Sequence, residues 1–94
     1  MRLSEREKDA ILAAVGRFDK AARVFLFGSR AEDSKRGGDI DLLVVSERIS
    51  PADRSRIRTA ICDAIGEQKI DLLVTRDTSG PFVKKALGTG IALR

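Results

Sequence analysis

The chain has 94 residues, 43% of them apolar and 34% charged, with a net charge of +4, no histidine and one cysteine. That size predicts one domain spanning residues 1–94 around one compact core, and the apolar share argues against disorder. No apolar run reaches the ~20 residues of a membrane-spanning helix, and Met1-Arg2-Leu3-Ser4 leads directly into charged residues, so a cytoplasmic protein is expected.

Cys62 alone cannot form an internal disulfide, and one thiol without histidine makes no zinc site. It reads as a partly buried small side chain. The lack of histidine removes the usual proton carrier near neutral pH, so any chemistry must use carboxylates, metals, hydroxyls and backbone amides. The basic balance favours a polyanionic ligand or an acidic partner.

Ser4-Glu5-Arg6-Glu7 has the form of a capping box, and Ile11, Leu12, Val15 and Phe18 follow at helical spacing, which predicts a helix over about 4–20. Val24-Phe25-Leu26-Phe27 is a short β-favouring run stopped by Gly28. A short helix over 29–36, ending at Gly37-Gly38, comes next. Asp39 to Val45 predicts a second strand, apolar on both faces in its far half and therefore central in the sheet. Ser50-Pro51 starts a helix lined by Ile57, Ile61, Ala64 and Ile65 that stops near Gly66. Ile70 to Thr75 is a third strand, and Phe82 to Leu87 a last helix before Gly88. The order is αβ(α)βαβα.

One local repeat stands out. Ile40-Asp41-Leu42-Leu43-Val44 recurs letter for letter as Ile70-Asp71-Leu72-Leu73-Val74. Alternation along a strand puts Asp39 and Asp41 on one side, and in-register neighbouring strands would bring Asp71 beside Asp41 at roughly 4.5–5.5 Å between Cβ atoms. Three negative charges at one spot need a counter-charge, and neither matching segment contains a lysine or arginine. Mg2+ suits such oxygen donors, and two ions about 3.5–4 Å apart would clamp an in-line phosphoryl or nucleotidyl displacement. Gly28-Ser29, at the end of the first strand, can offer backbone N–H groups and a hydroxyl to phosphate oxygens. It is not a Walker A loop, because no Gly-Lys-Ser or Gly-Lys-Thr follows.

Gly28-Ser29, nine intervening residues and then Asp39-Ile40-Asp41 together resemble the signature of the DNA polymerase β-like nucleotidyltransferase superfamily. The resemblance implies an α/β (α+β) fold with a small mixed sheet of three or more strands flanked by helices. It further implies that Gly28 and Ser29 hold the triphosphate, that Asp39 and Asp41 bind both metals, and that Asp71 binds the catalytic metal and helps activate the attacking hydroxyl. Gly28 to Ala31, Asp39 to Leu42 and the closing Gly90-Ile91-Ala92-Leu93 are similar to the minimal nucleotidyltransferases (MNT) over nearly the whole chain. Gly38 departs from the serine many relatives carry before the first acid, and no aromatic residue follows Leu93.

Members of that group are often encoded beside a helical HEPN-domain toxin and act as antitoxins, some by adding AMP to the toxin. The resemblance therefore implies ATP as substrate and a HEPN-type partner protein as acceptor. A catalytically silent antitoxin, or transfer to a small molecule or RNA, are the alternatives. Arg30 is expected at the triphosphate or the partner, with Arg36 a weaker candidate. Arg54, Arg56 and Arg58 read as solvent-facing, with an acidic partner as the other option, and Lys84 and Lys85 as surface residues. No aromatic side chain marks an obvious stacking position for a base.

Overall fold

The computed structural model of the chain describes residues 3–31 and 39–94, the side chains of Ser29 and Arg30 excepted. Helix α1, Glu5–Gly16, starts on the expected capping box: Ser4 Oγ accepts from Glu7 N at 3.1 Å and Glu7 Oε1 accepts from Ser4 N at 2.9 Å. It stops four residues short of the expected end. The amides of Phe18 and Asp19 both turn back to the Val15 carbonyl, and this tight exit delivers the Asp19 carboxylate to a buried partner on another segment.

Strands β1 (Arg23–Phe27), β2 (Ile40–Val45), β3 (Ile70–Thr75) and β4 (Ile91–Ala92) form one mixed sheet in the order β3-β2-β1-β4. β1 runs antiparallel to β2 and β4, and β2 runs parallel to β3. The central place expected for β2 is met, and Leu42, Leu43 and Val44 are fully buried. β4 was not expected, because two residues carry no periodicity; Leu93 N donates to Val24 O at 2.7 Å and continues its attachment. The turn Gly28–Ala31 is a 3-10 helix, while residues 32–38, with the rest of the predicted short helix, its Gly37-Gly38 end and Arg36, lie outside the described residues.

Helix α2, Arg54–Ile65, follows a 3-10 turn at Pro51–Asp53 that Ser50 caps, its amide donating to Asp53 Oδ2 at 3.0 Å. Gly66 ends α2 with φ +93°, a conformation glycine tolerates. Helices α1 and α2 pack together on one sheet face over Val24, Leu26, Ile40, Leu42, Val44 and Ile70. Burial of each such side chain contributes about 1.5–3 kcal/mol. On the other face, Val83 and Ala86 of helix α3, Pro81–Thr89, cover Phe25 and Leu43. Alternation assigns residues 41 and 71 to this second face, which α3 covers at Phe25 and Leu43. No helix among the described residues is long and apolar enough to cross a membrane.

The end of the sheet where β1 begins and β2 finishes is tied by one buried network. Ser46 Oγ donates to Asp19 Oδ2 at 2.7 Å and accepts from Arg48 N and Ile49 N at 3.0 and 2.9 Å, while Ala21 N donates to Asp19 Oδ1 at 2.9 Å. The Ser46 hydroxyl first, then the Ala21 amide, hold the Asp19 carboxyl below its ordinary value. A depressed carboxyl adds stability above its unfolded value that disappears as pH falls through the folded one. Ser46→Ala removes the largest cause, so urea denaturation should give a lower midpoint for the variant at neutral pH and a narrowing gap to wild type on acidification.

Candidate active site

The parallel pairing of β2 with β3 matches the repeated segments residue for residue: Ile40 with Ile70, Asp41 with Asp71, Leu42 with Leu72. Two buried apolar positions flank each aspartate, so a slip by one residue would turn Ile70 and Leu72 out of the core. The antiparallel pairing with β1 sets Phe27 opposite Asp41 on the other side. Asp41 is half-buried and Asp71 exposed. Burial pushes the Asp41 carboxyl above its ordinary value, helped by a hydrogen bond and the charge of Asp71 and by the charge of Asp39, with Lys69 opposing.

Asp39 lies just before β2 and adds its charge to the pair. It precedes Ile40, the first residue of β2, whose N donates to Lys69 O at 3.0 Å, and it faces Lys69 one step before the Ile40–Ile70 pair. Its carboxylate lies 3.5 Å from the Lys69 ammonium, both groups being largely solvent-exposed. Among the described residues no three acids gather closely enough to hold one ion. Asp41 and Asp71 are paired across β2 and β3, and Asp39, whose charge reaches Asp41, is held by Lys69. Two adjoining carboxylates still suit Mg2+, which is held by one or two carboxylates and completes its shell with water and substrate phosphates.

Gly28 joins the turn to the acids. Its φ is +72°, and a Cβ there would collide with a carboxylate oxygen of Asp41 while lying 3.2 Å from Asp41 Cγ and 3.4 Å from its Cβ. Left-handed backbone and missing space both demand glycine. The start of the Gly28–Ala31 turn therefore lies against the Asp41 side chain, as a phosphate cradle beside a metal-binding acid would require. The backbone of Ser29 and Arg30 continues this turn; their side chains are outside the described atoms.

The family model described as polymerase beta, nucleotidyltransferase matches residues 10–94. The chain belongs to that family. Its chemistry is accordingly nucleotidyl transfer from a nucleoside triphosphate, and the mixed sheet with its flanking helices fits that fold. No curated protein matches the chain.

Several residues near the acids were missed by the sequence reading. Lys69 sits one position before the repeat and faces Asp39. A recess of about 360 Å3 beside Asp41 and Asp71 is lined by Arg54 and Arg58 of α2, by Leu72 and Leu73, and by Phe27 and Phe82. Phe82 is 56% exposed and meets Phe27 edge-on, ring centroids 5.8 Å apart, so an aromatic face does stand by the acids. A signal for the arginines existed: they lie four apart on α2, and only Ile57 and Ile61 of that helix are fully buried. Arg56 lines a different recess with Arg17 and Asp63, and Lys84 and Lys85 are exposed as expected.

Because folded Asp41 keeps its proton to higher pH than the unfolded chain does, stability without divalent ions falls as pH rises above the unfolded value. Asp41→Asn should raise the melting temperature in chelator at neutral pH by about 2–8 °C. Scanning calorimetry should show that gain shrinking below about pH 4. Gly28→Ala should cost about 1–3 kcal/mol, read from denaturant midpoints, because both backbone and Asp41 must shift.

Proposed function

We propose that this chain is a Mg2+-dependent nucleotidyltransferase that moves AMP from ATP onto a hydroxyl of a partner protein, in the manner of the MNT antitoxins that act on a HEPN-type toxin. The observation supporting a working enzyme is the pairing of Asp41 with Asp71 beside the Gly28 turn. Nothing in the sheet needs two like charges side by side, and neighbouring carboxylates of this kind destabilise a strand pair. A site that bears such a cost is better explained by ligand binding than by folding.

Asp41 and Asp71 would hold the metal, with Asp39 available as a further ligand, since an exposed ion pair such as Lys69–Asp39 is worth at most about 1 kcal/mol. Bound there, Mg2+ supplies neutralisation of charge on the phosphate being transferred. The backbone N–H groups at the Gly28 turn, with the Ser29 hydroxyl and Arg30, hold the β and γ phosphates. The acceptor oxygen forms a bond to the α-phosphorus as the bond to the bridging oxygen of the β-phosphate breaks. Pyrophosphate leaves, and the hydroxyl proton passes to the Asp71 carboxylate, the more exposed of the pair.

Incubation of the purified chain and its co-purifying partner with ATP labelled at the α-phosphate should transfer label to the partner. Asp39→Asn and Asp71→Asn should each cut that rate by about 10²–10⁴-fold while the melting curve shows a folded protein. Undiminished labelling in both variants would sink the mechanism. Full partner binding with no labelling by wild type would favour a silent antitoxin.

A further inference from the structure

The side of the site away from the Gly28 turn carries features that nucleotide binding does not use. The sheet order places the Gly28 turn at the end of β1, Asp41 on β2 and Asp71 on edge strand β3. With the leaving pyrophosphate at Gly28, in-line displacement requires the attacking oxygen to come from the opposite side, over Asp71 and β3. There the wall of the recess is Arg54 and Arg58, with Leu73 as its apolar surface, while Phe82 closes the recess from the β1 side, against Phe27.

Both guanidinium groups are free to receive an anion. Among the described residues, Arg54 Nε donates to the Pro51 carbonyl at 3.0 Å and Arg58 to the Ser55 hydroxyl at 3.4 Å, and neither has another partner. Neither pairs with a carboxylate of the described residues, although Asp41 and Asp71 line the same recess. Two arginines one helical turn apart line the same recess, and each guanidinium suits a carboxylate. A polynucleotide would require a groove following several phosphates, whereas here the two arginines are bordered by Asp71, Asp41 and apolar side chains. One or two acidic side chains beside an apolar residue match this surface better.

We infer that Arg54 and Arg58, with Leu73, form the acceptor subsite, and that they select a protein segment whose hydroxyl residue is flanked by Asp or Glu. The inference rests on the nucleotidyl-transfer reading above, which sets the direction of attack. Arg54 and Arg58 act there as specificity-determining residues; they bind the acceptor's flanking acids and move no proton.

The test uses the full chain with Mg2+ and α,β-methylene ATP, and fluorescein-labelled peptides identical except that the hydroxyl residue is flanked by Glu or by Gln. Fluorescence anisotropy should give about tenfold tighter binding of the Glu peptide, a preference that falls to near parity in the Arg54→Gln/Arg58→Gln double variant. Nucleotide-analogue binding, followed by calorimetry, should be unchanged in that variant. Equal binding of the two peptides, no binding of either, a preference that survives in the double variant, or tighter binding of a short single-stranded oligonucleotide would each overturn the subsite. Wild type that binds the Glu peptide selectively yet fails to bind the analogue would show instead that the nucleotidyl-transfer reading is at fault, and the acceptor assignment would fall with it.

Discussion

Two carboxylates held side by side across a parallel strand pair set the terms for the rest of this molecule. Asp41 and Asp71 meet because β2 and β3 are the same five-residue segment twice, and the register that buries Ile40, Leu42, Ile70 and Leu72 admits no other partner for either acid. Hydrophobic burial thus enforces an electrostatic conflict. Each deeply buried aliphatic side chain contributes about 1.5–3 kcal/mol, while a like-charge pair across strands costs at most about 1 kcal/mol. The core wins, and the pair is left needing a proton or a cation. Burial and the neighbouring acid already push Asp41 toward the proton, and a divalent ion with phosphate oxygens is the other way to relieve it.

The second constraint is steric. Gly28 cannot carry a side chain without striking Asp41, so the Gly28 turn and Asp41 lie directly against each other. The opposite end of the sheet has the reverse character. There Asp19 is buried and fully hydrogen-bonded to Ser46 and Ala21, and Arg94 binds the carbonyls of Asp19 and Ala22 at 3.3 and 3.2 Å. One aspartate is satisfied by the fold and stabilises it. Asp41 and Asp71 instead face each other across the strand pair.

Much of this was legible in the sequence because it rests on local rules. The capping box at Ser4, the Ser50-Pro51 start, the stop at Gly66 and the bounds of β3 all follow from short-range chemistry. The repeated segment even gave the strand register, since identical apolar patterns align only one way against a common core. What escaped depends on the third dimension. β4 exists because the chain after α3 returns to the free edge of β1, and a two-residue strand leaves no pattern. The Lys69 ammonium beside Asp39 comes from the segment leading into the neighbouring strand, one position before the repeat, where the sequence offers no signal. Arg54, Arg58 and Phe82 come near the acids through the packing of α2 and α3 on the sheet, which spacing along the chain does not encode.

That division bears on how the site is assembled. The acids and the Gly28 turn lie on strands and strand ends locked by the core, so their geometry is insensitive to what the helices carry on their outer surfaces. Arg54 and Phe82 lie in the first turns of α2 and α3 and Arg58 one turn further, where side chains can change without disturbing Ile57, Ile61, Val83 or Ala86 beneath them. A rigid core can therefore conserve the chemistry of transfer while the helix starts vary what is accepted. The same separation explains why positive charge beside Asp41 and Asp71 does not quench them. Arg54 and Arg58 line the same recess, but among the described residues they hydrogen-bond to Pro51 and Ser55 and not to the two carboxylates.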